Sequence, residues 1–202
     1  MEYITRTTPA FLCHLALDTF DLAVRCAFEG VVGFGTSNSQ WRQSVLAGRY
    51  SGLGMRSSTF HADAAYVASR AAVHDLCRAI WPRFTSSPAD AIHGPAARIN
   101  SKLHPDDQLI LNGNFDEVPN QRTISDRLSK EDWEALRSTS QSYDVARLNT
   151  YSAPGTNRWL DDSPSRTLDK HLTSAEIISS VKLTLGVDVA ERIFMPLLCR
   201  SG

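Results

Sequence analysis

The chain has 202 residues, of which 42% are hydrophobic and 21% are charged, so it is expected to fold as a globular protein rather than remain disordered. Its 21 basic and 22 acidic side chains nearly cancel, which excludes an attraction to nucleic acid based on overall charge. The four cysteines have no CxxC spacing, so structural disulfides are not expected and an intracellular location, nuclear or cytoplasmic, is predicted. No apolar run reaches the ~18 residues of a membrane span, so no membrane partner is expected.

Helical spacing of apolar residues dominates the first part of the chain. The first helix is predicted to begin at Thr8 and Pro9, because threonine caps helices and proline suits the first helical position. It ends in the glycine-containing segment 29–38, and a short helix near 41–46 follows.

A long helix is predicted between Arg56 and Pro82, because proline cannot continue a helix. Its apolar face is rich in alanine and needs bulky partners, for which Phe20 and Trp41 are the candidates. The predicted apolar face consists of Ala65, Ala68, Ala72, Leu76, Ala79 and Ile80, and the opposite face of Asp63, Tyr66, Arg70, His74 and Arg78.

The middle of the chain, residues 84–119, contains several prolines and glycines, and we predict a linker with some local structure, including one helix at 95–103. The chain then becomes helical again. Ser129 and Asp132 have the spacing of a capping box, which would open a helix that carries Trp133.

Two further helices are predicted near the end of the chain. One covers residues 142–152, and the other begins at a capping box of Thr173 and Glu176 and ends at Gly186. No alternation of strands and helices is present. The predicted fold is therefore mainly α, with two packed helical blocks, 1–83 and 120–202, joined by the irregular linker 84–119.

Five segments occur in an order that is similar to a known family. The first block contains FDLAVRCAFEGVVG, WRQSVLAGRYSGLGMRS and ADAAYVAS, and the second contains ARLNTYSAPGTNRWLDDSPS and LTSAEIISSVKLTLGVDV. Together they resemble the segment after the catalytic palm of non-LTR retrotransposon reverse transcriptases. That family has F-D-x-x-V-R-x-A-x-E, W-x-Q-A-x-L-P, G-G-L-G-L-R-S and A-A-Y-x-A-S, followed by A-R-L and L-G motifs. The resemblance covers about 8–79 and 121–189, with Ser51 in place of the family's first glycine and Met55 in place of a leucine.

The resemblance implies a thumb-like helical block, 1–83, and a helical block after it, taken from an RNA-directed DNA polymerase whose palm is absent from this sequence. Such a region would contact the phosphate backbone of a template–primer duplex, which is the RNA or DNA partner we expect. Family members often continue into a zinc-binding region, and Cys199 stands where its first ligand would be. One cysteine does not make a zinc site, so neither a metal nor another cofactor is expected.

Polymerase chemistry would need carboxylates that hold two metal ions. The pairs Asp106–Asp107 and Asp161–Asp162 have no flanking hydrophobic strand, so we interpret them as solvated turns or helix caps. This chain is therefore not expected to be an enzyme on its own.

The candidate nucleic-acid contacts are glycines and arginines. Gly52, Gly54 and Arg56 can form a backbone nest with a cation beside it, whereas the structural interpretation is a turn that needs glycine at positive φ. An arginine surface facing the template is the second candidate, against the alternative of ordinary solvated arginines. Its members are Arg42, Arg49, Arg56 and Arg70.

Two other classes of function are compatible with the sequence. One is a protein-interaction module in which a helical face receives a partner helix, and a large exposed apolar patch would favour it. The other is a small intracellular hydrolase with a cysteine or serine nucleophile. It requires a nucleophile and a histidine within hydrogen-bonding reach in a cleft.

Overall fold

The structure is a computed structural model, and it describes residues 2–83, 88–111, 115–156, 158–161 and 172–189. These residues are predominantly helical and none of them forms a β-strand, which confirms the predicted mainly α fold. Among the described residues, none of the helices combines the length and the apolar character that crossing a membrane requires. The helices are α1 Glu2–Thr7, α2 Ala10–Val32, α3 Asn38–Val45, α4 Ser58–Ile80, α5 Pro88–Asn100, α6 Gln121–Thr139, α7 Ser142–Ser152, α8 Arg158–Asp161 and α9 Ser174–Leu185, with short 3₁₀ turns at Gly48–Tyr50, Pro105–Asp107 and Phe115–Glu117.

Several helix ends follow from local side-chain chemistry. α9 begins at the predicted capping box, in which Thr173 accepts from the Glu176 amide while the Glu176 carboxylate accepts from the Thr173 amide. It ends at Gly186, whose φ of 69° lies in the left-handed region that glycine tolerates. Ser37 and Gln40 form a second capping box at the start of α3, which the sequence analysis did not identify.

The capping box predicted at Ser129 and Asp132 is wrong. α6 runs without a break through this position, and the Ser129 hydroxyl donates to the Ser125 carbonyl oxygen at 2.8 Å. The S-x-x-D spacing also occurs inside helices, and here the residues before Ser129 already continue the helix.

The chain divides into two compact units, and the first comprises Met1–Asp21 and Ser57–Asp132. In this unit α1 and α5 pack against α4. The core is a single apolar cluster that contains most of the buried residues of α4. Its buried members are Ala64, Tyr66, Val67, Ala68, Ile92, Ala96, Ile99, Leu103, Leu109, Ile124 and Leu128.

The buried part of α4 differs from the predicted face. Its first half is buried on nearly all sides, including Tyr66, which is 5% exposed although the periodicity assigned it to the polar face. In the second half the predicted apolar face is exposed, with Leu76 at 60% and Ile80 at 76%. The opposite face makes the contacts there, since the His74 ring lies 4.7 Å from the Phe115 ring. Periodicity identifies an apolar face but not the element that covers it.

The segment predicted as a linker contributes to this core. α5 extends over Pro88–Asn100 rather than 95–103, and Ile92 and Ile99 are buried in the cluster with Tyr66. The two compact units also do not follow the predicted blocks 1–83 and 120–202, because each unit draws on both. Helices separated in sequence pack together here, and composition along the chain does not report such pairings.

The second unit comprises Leu22–Arg56 and Trp133–Gly202. It contains two apolar clusters, one around the end of α2 and α9, and the other between α3, α6 and α7. Their buried members are Val32, Phe34, Val181 and Leu185 in the first, and Leu46, Leu136 and Leu148 in the second.

Candidate nucleic-acid interface

The predicted contact residues do not all belong to one unit. Arg70 lies on α4 in the first unit, where it is half-buried. Five others lie in the second unit, on α3 and on the turn between α3 and α4; the arginines among them are exposed. These five are Arg42, Arg49, Gly52, Gly54 and Arg56.

The turn after α3 requires small or glycine residues at three positions. Ser51 has φ 58° and Gly54 has φ 72°, both in the left-handed region. Gly52 lies so close to the end of α3 that a Cβ would stand 1.9 Å from the Leu46 carbonyl oxygen. Each of Ser51, Gly52 and Gly54 therefore has a physical reason for its residue type in this geometry.

The backbone amides of this turn are used within the protein. Gly52 donates to the Ala47 carbonyl at 3.2 Å, and Gly54 donates to the Leu46 carbonyl at 2.8 Å. Both amides therefore serve to close the turn, which corresponds to the structural interpretation and leaves the nest hypothesis without donors at these two positions. What the turn can offer a ligand is the side chain of an arginine.

A buried glutamine connects this turn to the rest of the second unit. Gln43 is 2% exposed, and its amide nitrogen donates to the carbonyl oxygens of Ser51 at 2.8 Å and Thr184 at 2.9 Å. Its side-chain oxygen accepts from Arg147 Nη1 at 2.9 Å. Every hydrogen-bonding direction of this amide except the second lone pair of its oxygen is accounted for, as burial demands.

Arg147 continues the same network. Its guanidinium donates to the Thr184 carbonyl and, through Nε and Nη2, to Asp144 Oδ1 at 3.1 and 2.9 Å. It also lies against Gly186, where an added Cβ would stand 2.7 Å from Arg147 Nε. The network joins α3, α7 and α9 with the turn.

A second polar contact holds the loop between α2 and α3. Glu29 accepts from the Thr36 hydroxyl at 2.6 Å, from the Thr36 amide at 2.8 Å and from Arg25 Nε at 3.1 Å. Burial by itself would raise the pKa of Glu29, but the hydrogen bonds from Thr36 and then from Arg25 outweigh it and hold this pKa below its ordinary value.

In the first unit, Asp21 of α2 acts on the start of α4. Its carboxylate accepts from the Ser57 hydroxyl at 2.6 Å and from the amides of Ser58 at 2.8 Å and Thr59 at 3.0 Å. The first amides of a helix have no partner within the helix, and a carboxylate there also meets the positive end of the helix dipole. Asp21 therefore positions α4.

A ladder of cations and aromatic rings was not identified from the sequence. The Arg49 guanidinium carbon is 5.3 Å from the Tyr50 ring centroid, and the Tyr50 and Trp133 rings are 6.1 Å apart. Arg137 lies over Trp133 at 4.4 Å. We call these four residues the cation–aromatic ladder. The sequence offered two local signals: Arg49 and Tyr50 are adjacent, and Trp133 and Arg137 have the i, i+4 spacing. These two pairs are far apart in sequence.

In the described part of the chain, no group of three or more His, Cys, Asp or Glu side chains converges. These residues therefore contain no prearranged set of metal ligands. Asp107 lies in a 3₁₀ turn with Arg127 and Lys130 at 3.8 Å, so its contacts are with cations. The predicted candidates Asp162 and Cys199 and the side chain of Asp161 lie outside the described residues.

One serine–histidine contact bears on the hydrolase alternative. His61 Nδ1 and Ser125 Oγ are 3.0 Å apart, within reach for proton transfer. Both residues lie inside helices, α4 and α6, where backbone amides donate along the helix and do not form an oxyanion hole. The pair therefore has the required distance, and the amides within these two helices supply no oxyanion hole beside it.

Comparison with known proteins yields no match to a family model, to a curated protein or to a solved structure.

Proposed function

We propose that this chain corresponds to the thumb-like region and the following helical segment of a non-LTR retrotransposon reverse transcriptase. In this role it positions the backbone of a template–primer duplex through weak phosphate contacts and performs no polymerase chemistry itself.

The observation that supports this proposal most is the convergence of the motif residues that carry the family resemblance. Gln43 of the W-x-Q motif, Arg147 of the A-R-L motif and Gly186 of the L-G motif come from three distant segments. Gln43 and Arg147 are 104 residues apart in sequence and hydrogen-bonded at 2.9 Å, and Gly186 lies against Arg147. Segments that merely happened to be amphipathic helices would have no reason to bring their shared polar residues together.

Two further motif residues also have structural roles. Asp21 of the F-D motif caps α4, and Glu29 of the same segment holds Thr36. The motifs therefore describe how a scaffold is held together, which agrees with a positioning role. Direct contacts to a nucleic acid would then come from exposed side chains, and Arg42, Arg49 and Arg56 are the exposed arginines that α3 and its turn supply.

The test is a filter-binding titration of the full chain against an RNA–DNA hybrid at low salt. The double variant Arg49→Ala plus Arg56→Ala is expected to weaken binding and to lower the dependence of affinity on salt concentration, because two phosphate contacts are lost. The matched control removes two exposed arginines of the first unit, Arg6→Ala plus Arg122→Ala. Equal binding by the parent and the first double variant would reject the proposed contact surface.

A second candidate function, a protein-interaction module, is favoured by the exposed apolar stripe on the second half of α4. Val73 is 39% exposed, Leu76 60% and Ile80 76%, and all three lie on one side of the helix together with the exposed Ala72 and Ala79. An apolar stripe of this spacing is suited to receive another helix.

The occupant we propose for this stripe is α4 of a second copy of the chain. In an antiparallel pair about a two-fold axis between residues 76 and 77, Val73 of one copy faces Ile80 of the other. The apolar stripe of one copy therefore meets the same stripe of the other across the two-fold axis, as an isologous dimer requires.

Sedimentation analysis across a range of protein concentrations tests this second candidate. The parent is expected to self-associate, and Leu76→Glu is expected to prevent this by placing two carboxylates near the dimer axis. Val31→Glu, at a valine that is 78% exposed on α2, is the control and should associate like the parent. A parent that remains monomeric throughout, or a Leu76→Glu variant that still associates, would exclude the dimer.

A further inference from the structure

The polar face of α4 changes its character halfway along the helix. In the first half its member Tyr66 is buried in the core and is 5% exposed. In the second half this face consists of Arg70, His74 and Arg78, which follow one another at intervals of four residues. We call these three residues the α4 basic row. Because residues four apart lie on neighbouring turns of one side of a helix, the two arginines are about 12 Å apart along the helix axis.

The two arginines of the row have no polar partner among the residues that the structure describes. Neither guanidinium makes a hydrogen bond or an ion pair there, and the nearby Asp75 carboxylate instead lies 3.0 Å from His74 Nδ1. Arg78 is exposed. Arg70 is half-buried, but none of its guanidinium nitrogens is a buried atom without a partner, so they can be reached from solvent. Both cations therefore retain N–H donors for an external acceptor.

The middle of the row is fixed to the first unit. The His74 ring lies 4.7 Å from the Phe115 ring, and Phe115 packs against the apolar cluster that forms the core. His74 therefore anchors this side of α4, and the arginines on either side of it are the residues that can contact a ligand. Because the helix that carries them is held in place, less conformational entropy is lost on binding.

The local charge differs from that of the whole chain. The net charge of the chain is -1, yet residues 70–83 contain three arginines against one aspartate. A cation in the last turn of a helix also interacts favourably with the helix dipole, which gives Arg78 a structural role. This effect does not extend to Arg70, which lies more than two turns before the end of α4. The positive potential of the row therefore exceeds what the helix itself needs.

We infer that the α4 basic row binds the phosphate backbone of a nucleic-acid duplex through Arg70 and Arg78. A guanidinium group matches the oxygen atoms of a phosphate. Two such groups separated along a rigid helix suit an elongated polyanion, which offers several phosphates, better than a single phosphate. Contacts of this kind position a duplex without reading its sequence. The inference rests on the proposed function and adds to it Arg78 and a contact surface in the first unit.

Fluorescence anisotropy of a labelled RNA–DNA hybrid, titrated with the full chain at several salt concentrations, tests the row. Arg70→Gln plus Arg78→Gln is expected to weaken binding at least about tenfold. It should also lower the slope of log affinity against log salt by about 2, because two phosphate contacts are lost. Arg122→Gln, at an exposed arginine on α6 in the same unit, is the control and should stay within about twofold of the parent.

A competitor separates a nucleic acid from an acidic protein segment as the occupant. Unlabelled hybrid should displace the labelled hybrid, whereas poly-glutamate at the same concentration of negative charge should displace little of it. Equal displacement by poly-glutamate would overturn the assignment to nucleic acid.

Two further variants guard against a loss of fold. Arg78→Gln alone, at an exposed side chain, should keep the far-UV circular dichroism of the parent and still lower the salt slope by about 1. Arg70→Lys plus Arg78→Lys keeps both charges and should keep the salt slope of the parent. If the parent and Arg70→Gln plus Arg78→Gln bind equally well, the row is rejected while the proposed function stands on the arginines of α3 and its turn. If the parent does not bind the hybrid, both proposals are rejected.

Discussion

The amide oxygen of Gln43 accepts a hydrogen bond from Arg147 at 2.9 Å, and the two residues are separated by 104 positions in sequence. Through this contact the end of α3 is joined to α7, and through their shared partner, the Thr184 carbonyl, to α9. The members of a buried polar network of this kind depend on one another, because removing one of them leaves the others with fewer hydrogen-bond partners.

The first prediction concerns this network. Gln43→Ala is expected to lower the free energy of unfolding by about 2–4 kcal/mol, because it removes the donor to the Ser51 carbonyl, one of the two donors to the Thr184 carbonyl, and the side-chain oxygen that accepts from Arg147. Urea unfolding followed by far-UV circular dichroism measures the change. Arg42→Ala, at the exposed neighbour on the same helix, should cost no more than about 1 kcal/mol. Additive losses in the double variant Gln43→Ala plus Arg147→Ala would contradict a shared network.

The second prediction compares alanine substitutions at three glycines whose surroundings differ. Gly52→Ala should lower the free energy of unfolding by at least about 3 kcal/mol, because its Cβ would overlap the Leu46 carbonyl oxygen. Gly54→Ala has open space but a left-handed φ, so about 1–2 kcal/mol is expected. Gly35→Ala, with neither constraint, should change stability by less than about 0.5 kcal/mol. Any other ranking in thermal or urea unfolding would show that the close approach at Gly52 is not maintained.

The third prediction concerns the start of α4. Asp21→Ala removes the acceptor for the amides of Ser58 and Thr59, and a loss of about 1–2 kcal/mol is expected because these two first-turn amides lose it, while the Ser57 side chain still accepts from the Phe60 amide. Hydrogen exchange should show the effect first in the initial turn of α4. Asp18→Ala, which removes one exposed contact to the Thr59 hydroxyl at 3.1 Å, is the control and should have little effect. Unchanged exchange at Ser58 and Thr59 in Asp21→Ala would rule out this cap.

The fourth prediction is a dependence of stability on pH. Hydrogen bonds hold the pKa of Glu29 in the folded protein below its ordinary value of 4.5. Its ionised form therefore contributes stability that is fully present above that ordinary value and is lost as pH falls through the folded pKa. The stability difference between the parent and Glu29→Gln should be largest near neutral pH and should shrink in acid.

Unfolding curves across this acid range measure the difference. Glu134→Gln, at an exposed glutamate, serves as the control and should give a difference that is small at every pH. A gap between the parent and Glu29→Gln that stays constant from neutral pH into acid would contradict the role assigned to the Glu29 carboxylate.

The candidate contacts show what local pattern alone can identify. Exposed arginines and turn glycines near Arg49 were predicted because each lies in a recognisable local motif. The ladder partners Trp133 and Arg137 were not, because the contact of Tyr50 with Trp133 joins segments that no local rule connects. Coordinates were likewise needed to show that the backbone amides of Gly52 and Gly54 donate to carbonyls within the turn.

The sequence by itself determined the helical class, the capping box of Thr173 and Glu176 and the stop at Gly186, since these depend on residues within one or two helical turns. The tertiary structure alone decided which side of α4 is covered, that residues near Ile92 belong to a core, and that Gln43 meets Arg147. The physical reason is that local backbone preferences act between neighbours in the chain, whereas burial depends on which surfaces meet, and those surfaces come from segments far apart in sequence.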